Sequence, residues 1–400
     1  MALRKLQIGP GVLVTAAFIG PGTLTVCTMA GVHAGTQLLW VVVLATLITI
    51  FIQNIAARIA WNTGSGLATS MIKNTAHPLL RWFFLVLILA AILVGNTAYQ
   101  GGNLSGAFLG FDKIVTLPSF SIGNQTFALR SLIIGVMAAW VLWKGNTRLI
   151  KNILLSVVLL MSASFLIAAI LVQPNFMSLV KGLLLPQIPQ GDWKLVVALL
   201  GTTIVPYNLF LHAALVKSKN SQITSLAALK RDTQYAVGIG GLISICIIIA
   251  ASAVQGAEIS SVTDLGKSLV PIYGNRAEYF VAFGLFAAGF SSAITAPLAA
   301  GYVAEECMQW SADSKKSNWV ALLVLTIGLT MTLFELRPIE IIRLAQWANG
   351  LLLPLVGLFL WALMRKEQNR MQLRQTEQLI MGLIIVFFFV LTLRSLGFLA

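Results

Sequence analysis

Two apolar stretches of this chain are each interrupted at the centre, in corresponding places. The first runs from about Gly11 to Ala34 and breaks at Phe18-Ile19-Gly20-Pro21-Gly22-Thr23. The second runs from about Val196 to Val216 and breaks at Thr202-Thr203-Ile204-Val205-Pro206-Tyr207-Asn208. In hydrocarbon every backbone N–H and C=O needs a partner, so unwound chain persists only against protein or a polar cavity. Matched Gly/Pro interruptions in two halves of a membrane chain are the sequence mark of a carrier's central binding site.

Composition supports a bilayer setting. Only 10% of the 400 residues are charged and 58% are hydrophobic, against roughly 25% charged in soluble domains. Stretches long enough to span, about 20 residues each, fall near 11–34, 37–60, 80–110, 129–145, 150–173, 196–216, 234–254, 276–304, 318–334, 339–364 and 378–398. The expectation is an all-α integral membrane protein with eleven transmembrane helices. Helices 1 and 6 are the interrupted pair. The first stretch lacks a cleavage site followed by a soluble domain, so it reads as a membrane helix and not as a removed signal.

The net charge of +14 raises nucleic acid as a partner, but the placement of the charges argues against it. With the N-terminus inside, 18 of the 27 Lys and Arg fall on the cytoplasmic side, among them Arg4, Lys5, Arg58, Lys217, Lys219 and Arg370. That bias sets topology and suits an anionic inner leaflet. A multi-pass protein of a bacterial inner membrane is expected, with its N-terminus cytoplasmic and its C-terminus outside. The order of breaks predicts one transporter domain over 1–400, with inverted five-helix repeats at about 9–173 and 196–364. An extra helix follows at about 378–398. The connections near 174–195 and 255–275 read as non-helical. Cys27, Cys246 and Cys307 lie in or beside helices without disulfide or zinc spacing.

Around these residues the chain resembles the Nramp (natural resistance-associated macrophage protein) family of proton-coupled metal transporters, which have the LeuT fold. The likeness spans nearly the whole length. It is carried by Gly9-Pro10-Gly11, Ala30-Gly31, Gln53, Ala56-Ala57-Arg58, Pro206, Asn208 to His212, Ala288-Gly289, Ile294-Thr295, Glu305 and Ala345-Gln346. The resemblance implies metal-ion transport, and it also marks departures. Where the family binds metal through Asp and Asn at its first break, this chain has Gly20 and Thr23. Its sixth-helix Met and Ala correspond to Val205 and Thr202, its eighth-helix Gln to Phe290, and the His before the sixth-helix Asn to Tyr207. The acidic pair of its third helix is replaced within Asn96-Thr97-Ala98-Tyr99-Gln100.

The residues taken alone agree. No Asp or Glu precedes Asp112. Transition metals select thiolate, thioether, imidazole or carboxylate, and Mg²⁺ or Ca²⁺ sites usually include a carboxylate. The candidate substrate site is Gly20, Pro21, Gly22, Thr23, Thr202, Thr203, Val205, Tyr207 and Asn208. His212, Gln346, Phe290, Asn96 and Gln100 are candidate pathway residues. No metal ligand is assigned and no cofactor is expected. Free N–H groups at the start of a half-helix near Gly22 suit an anionic group.

Blander roles stand beside these. Thr23 and Thr202 can bond back to their own helices, Asn208 and Gln346 can be polar glue between helices, and His212 can be a packing residue. The run Gly101, Gly102, Ser105 and Gly106 suits close packing. His33 and His77 read as loop residues, and Asp232, Glu305 and Glu306 as groups at helix ends.

Three functions remain open. One is metal-ion transport without the standard ligands and without proton coupling. The second is transport of a small organic solute such as an amino acid or carboxylate, and the third is a non-transporting sensor. The partners implied are an ion or small-molecule substrate and the lipid bilayer. An enzyme is not expected, since no helix carries paired carboxylates, a His/Cys cluster or a nucleophile–base pair.

Overall fold

The computed structural model describes residues 10–11, 14–15, 19–73, 75, 77–115, 119–122, 125–144, 148–189, 192–217, 225–256, 258–311, 315–332, 337–368 and 373–398. Gly9 and Phe18 of the first stretch, and Arg4, Lys5, Lys219 and Arg370 of the charge bias, lie outside them.

Apolar length decides the architecture. A helix of 20 residues spans about 30 Å, the thickness of a bilayer core. The described helices follow the expected stretches closely. They are α1 (Pro21–Ala34), α2 (Leu39–Thr63), α3 (Leu67–Lys73), α4 (Pro78–Ile114), α5 (Leu129–Lys144), α6 (Arg148–Leu171) and α7 (Phe176–Leu184). Next come α8 (Trp193–Thr203), α9 (Pro206–Lys217), α10 (Leu226–Ser252), α11 (Val262–Gly266), α12 (Val270–Tyr273) and α13 (Ala277–Met308). The last are α14 (Lys316–Met331), α15 (Pro338–Leu351), α16 (Leu353–Lys366) and α17 (Gln375–Ser395). Large side chains such as Trp82, Phe83, Leu47, Tyr235 and Leu383 stand exposed on the outer faces. A water-soluble surface of this size does not stay so apolar, and here it faces lipid.

Three expectations need correction. The connections read as non-helical contain α7, α11 and α12. Asn175 caps α7 by accepting from Ser178 N at 3.1 Å, and Ser261 with Asp264 forms a capping box on α11. The tenth span is divided at Leu352, just before Pro354, into α15 and α16. His33 is helical, in the last turn of α1. A short antiparallel hairpin, β1 (Ser119–Ile122) and β2 (Gln125–Ala128), joins α4 to α5, with Phe120 opposite Phe127.

The centre is built by α4 and α13 packing along each other, with α15 laid across α4, α8 and α1. Close approach is possible where side chains are missing. A Cβ on Gly106 would lie 2.2 Å from the Cβ of Pro21, so this glycine lets the first break rest directly on α4. The small-residue run therefore serves packing, as its composition implies.

Candidate functional site

The breaks are narrower than the sequence implies. The Ile19 N–H donates to Thr15 O at 3.1 Å, Gly20 is extended (φ −121°, ψ −170°) and α1 begins at Pro21. Pro21, Gly22 and Thr23 are thus the first turn of a helix and not unwound chain. Pro21 brings no N–H and Gly20 no capping side chain, so α1 presents Gly22 N–H and the positive end of its dipole at the break. In the second stretch Thr202 and Thr203 remain helical, and only Ile204 and Val205 are unwound between α8 and α9. The C-terminal end of α8, with its negative dipole end, therefore stops at the same level of the molecule.

Helix α15 joins the two. A Cβ on Gly22 would fall 2.2 Å from Gln346 Nε2, and one on Gly201 would fall 2.1 Å from the Gln346 carbonyl oxygen. Asn349 Nδ2 donates to Gly201 O at 3.2 Å. Gln346 and Asn349 share a helix face at i and i+3, which is the signal that would have drawn Asn349 into the site from the sequence.

The candidate residues have unequal roles. Gly20, Pro21, Gly22, Thr23, Thr202, Thr203, Val205, Tyr207 and Asn208 are all buried. Thr202 Oγ1 bonds back to Leu199 O at 2.8 Å, its blander role. Tyr207 packs at a tilt against Tyr99, with ring centroids 5.4 Å apart, and bonds both Tyr99 and Thr295. Phe290 is buried and stacks on Phe286. His212 Nδ1 meets Gln53 Oε1 at 2.8 Å, while its Nε2 is buried without a partner among the described residues.

Asn208 differs from all of these. Its side chain is fully buried, and neither Oδ1 nor Nδ2 has a hydrogen-bond partner among the described residues. Gln346 Oε1 and Ser105 Oγ share that condition. An unpaired buried polar group costs about 1–3 kcal/mol, and here several gather on the elements around the breaks.

Asn96 and Gln100 are satisfied. Pro297 lies inside α13 and has no N–H to give Ala293 O, four residues earlier. Gln100 Nε2 supplies that missing donor at 2.9 Å, and Asn96 Nδ2 donates to Ala296 O, also at 2.9 Å. Gln100 thus replaces the hydrogen bond that Pro297 removes, and Asn96 adds a second tie to the same helix.

The acidic groups read as helix-end residues are tied inward. Asp232 lies within α10, and its Oδ2 accepts Gly11 N–H at 2.7 Å. Glu306 accepts the N–H groups of Ala68 and Thr69 at the start of α3 and lies beside Lys217. Among the described residues no three His, Cys, Asp or Glu side chains come together.

The family model for natural resistance-associated macrophage protein-like proteins, Nramp, matches residues 11–399. The chain belongs to this family. This Nramp protein is similar in structure to the Eremococcus coleocola manganese transporter in complex with an aromatic bis-isothiourea substituted compound. The TM-score is 0.74 at 19% identity, over 97% of this chain and 85% of that one. MhsT in complex with L-phenylalanine matches with TM-score 0.60 at 16% identity, over 96% and 98%. Mhp1, a nucleobase-cation-symport-1 family transporter, matches with TM-score 0.56 at 16% identity, over 98% and 94%. At these identities the likeness speaks to the fold. The Nramp protein is an all-α, LeuT-fold, multi-pass membrane transporter.

Proposed function

We propose that this Nramp protein is a secondary transporter whose substrate is held at the paired breaks by neutral groups, without a proton relay. The observation that carries the reading is Asn208, buried at the second break with both amide atoms unpaired among the described residues. Family membership brings metal ions as the cargo class. A cation there would meet hydroxyl, amide and carbonyl oxygens alone, since Gly20, Thr23 and Val205 stand where the resemblance places the metal-binding side chains. Such oxygens suit a hard, partly hydrated ion far better than a thiophilic one. Uncompensated charge in a buried site is costly, so tight Mn²⁺ binding is not expected. A relay would need Asp, Glu or His in sequence; among the described residues the hydrogen-bond partner of His212 is the neutral Gln53.

A second reading, a small organic solute, is favoured by the other half of the same amide. A cation uses Asn208 Oδ1 and leaves Nδ2 buried and unsatisfied, whereas a polar organic molecule can accept from Nδ2 as well. The positive end of α1 and the negative end of α8 also suit a molecule with two ends of opposite charge.

We propose further that the helices form one domain of two inverted repeats plus α17, with the N-terminus cytoplasmic and the C-terminus outside. Proteoliposomes containing a pH-sensitive dye, supplied in turn with Mn²⁺, Mg²⁺, Ca²⁺ and amino acids, test the functional reading. Uptake without stoichiometric proton movement supports it. Micromolar Mn²⁺ uptake with acidification would overturn it.

A further inference from the structure

A cavity lies beyond the breaks, at the end of the molecule where α8 and α15 begin. Its volume is about 350 Å³ and it is bordered by α1, α8 and α15. Pockets for small organic ligands start at about 300 Å³. Its buried lining is apolar, formed by Met29, Leu195 and Ile341, and Leu344 and Trp347 also border it. Met29 lies seven residues past Gly22 and Leu195 seven before Thr202, which at 1.5 Å per residue sets the cavity roughly 10 Å from both breaks. Gln346, the residue next to Trp347, rests on Gly22.

The rim carries both signs. Asp192, Glu340 and His33 face the cavity together with Lys194 and Arg343. Arg343 pairs with Glu340. Lys194 is exposed, sits 5.9 Å from the Trp347 ring centre and makes no ion pair among the described residues. Asp192 Oδ1 caps α8 through Leu195 N at 3.1 Å. The Trp347 indole N–H is buried and unpartnered among the described residues. A bare dication entering here meets two cations, and a simple anion meets two carboxylates. A molecule carrying both charges on one carbon, with an apolar side chain, satisfies the rim and the lining together.

We propose that this cavity is an outer binding site for a small zwitterion of the α-amino-acid class, from which substrate passes to the breaks when Gln346 moves off Gly22. Its carboxylate is held by Lys194 and the Trp347 N–H, its ammonium by Asp192 and Glu340, and its side chain by Met29 and Leu195. The proposal rests on the organic-solute reading of the central site, and its test separates the two.

The experiment is calorimetry on the full chain in detergent with glycine, L-leucine and L-phenylalanine, compared with L-leucinamide and 4-methylpentanoate. These last two lack the carboxylate and the ammonium respectively. Leucine or phenylalanine should bind at least tenfold more tightly than either one-charge analogue, and Lys194→Gln should weaken that binding about tenfold, as loss of one charge-assisted hydrogen bond implies. The same measurement on Asn208→Leu should retain the binding even where liposome flux is lost. Absence of binding by all three zwitterions, or equal binding of the analogues, overturns the outer site. So does binding that ignores Lys194→Gln. Binding at the outer site with no amino-acid flux would instead count against the organic-solute reading of the centre.

Discussion

The seam between α4 and α13 and the gap between α8 and α9 are both polar, both deep, and opposite in condition. On the seam Asn96 and Gln100 each donate to a carbonyl of α13, one of them freed by Pro297. At the gap Asn208 donates to nothing and accepts nothing among the described residues. Residues of the same chemical type thus divide by whether the protein itself completes their bonding. Satisfied amides in a membrane interior hold helices together. An unsatisfied one stores a cost that evolution removes unless something else arrives to bond it.

The sharpest way to break this contrast is a matched pair of substitutions. Asn208→Leu removes an unpaired amide, so thermal stability in detergent should hold or rise while substrate flux falls by about one to two orders of magnitude. Gln100→Leu leaves Ala293 O without its donor and should cost about 1–3 kcal/mol of stability. If Asn208→Leu unfolds the protein and Gln100→Leu does not, the division is misdrawn.

A second test rebuilds the family's donors. Gly20→Asp, Thr23→Asn and Val205→Met together should raise Mn²⁺ affinity at least tenfold, read by calorimetry, because a carboxylate and a thioether enter a neutral site. No gain would show that the surrounding shell, which also tunes a metal site, decides the ligand.

A smaller effect is expected at His212. Flux in His212→Ala should fall about twofold, in line with the loss of one neutral hydrogen bond of roughly 0.5 kcal/mol, and dye-filled liposomes should report no change in proton movement. Stoichiometric acidification that vanishes with this substitution would assign the residue a relay.

The smallest effect lies on α11, in the connection read as lying between spans. Partial burial raises the Asp264 carboxyl, but hydrogen bonds from Lys267, Ser261 and Ser260 outweigh it and hold the group below the usual carboxylate range. A depressed folded pKa contributes stability above the unfolded value, about 3.9, and loses it as pH falls through the folded one. Asp264→Asn should therefore narrow the gap to wild type as the pH is lowered below about 4, seen in the thermal midpoint. A gap that widens on acidification reverses the sign of this account.

How much of this was legible beforehand follows from the range of each interaction. Span positions and both breaks depend on local apolarity and on Pro21, Gly22 and Pro206, so they read directly from the chain. The extent of the breaks did not, because Thr202 and Thr203 keep helical bonding that composition cannot reveal. Pro297 announces a missing donor, yet only the packing of α4 shows that Gln100 supplies it. The acceptor roles of Asp232 toward Gly11 and of Glu306 toward Ala68 and Thr69 are not legible, because they join segments far apart in sequence. The family likeness located the central residues, and folding then separated those already bonded from those left open.

The bond that replaces the one Pro297 removes also limits how the molecule can move. Sliding α4 past α13 by one turn would strip Ala293 O, which Pro297 leaves without a helical donor, of the one Gln100 supplies. Those two helices are therefore expected to travel as a single strut. The displacement that exposes the centre to either side must fall to α1, α8 and α9, whose breaks serve as its joints.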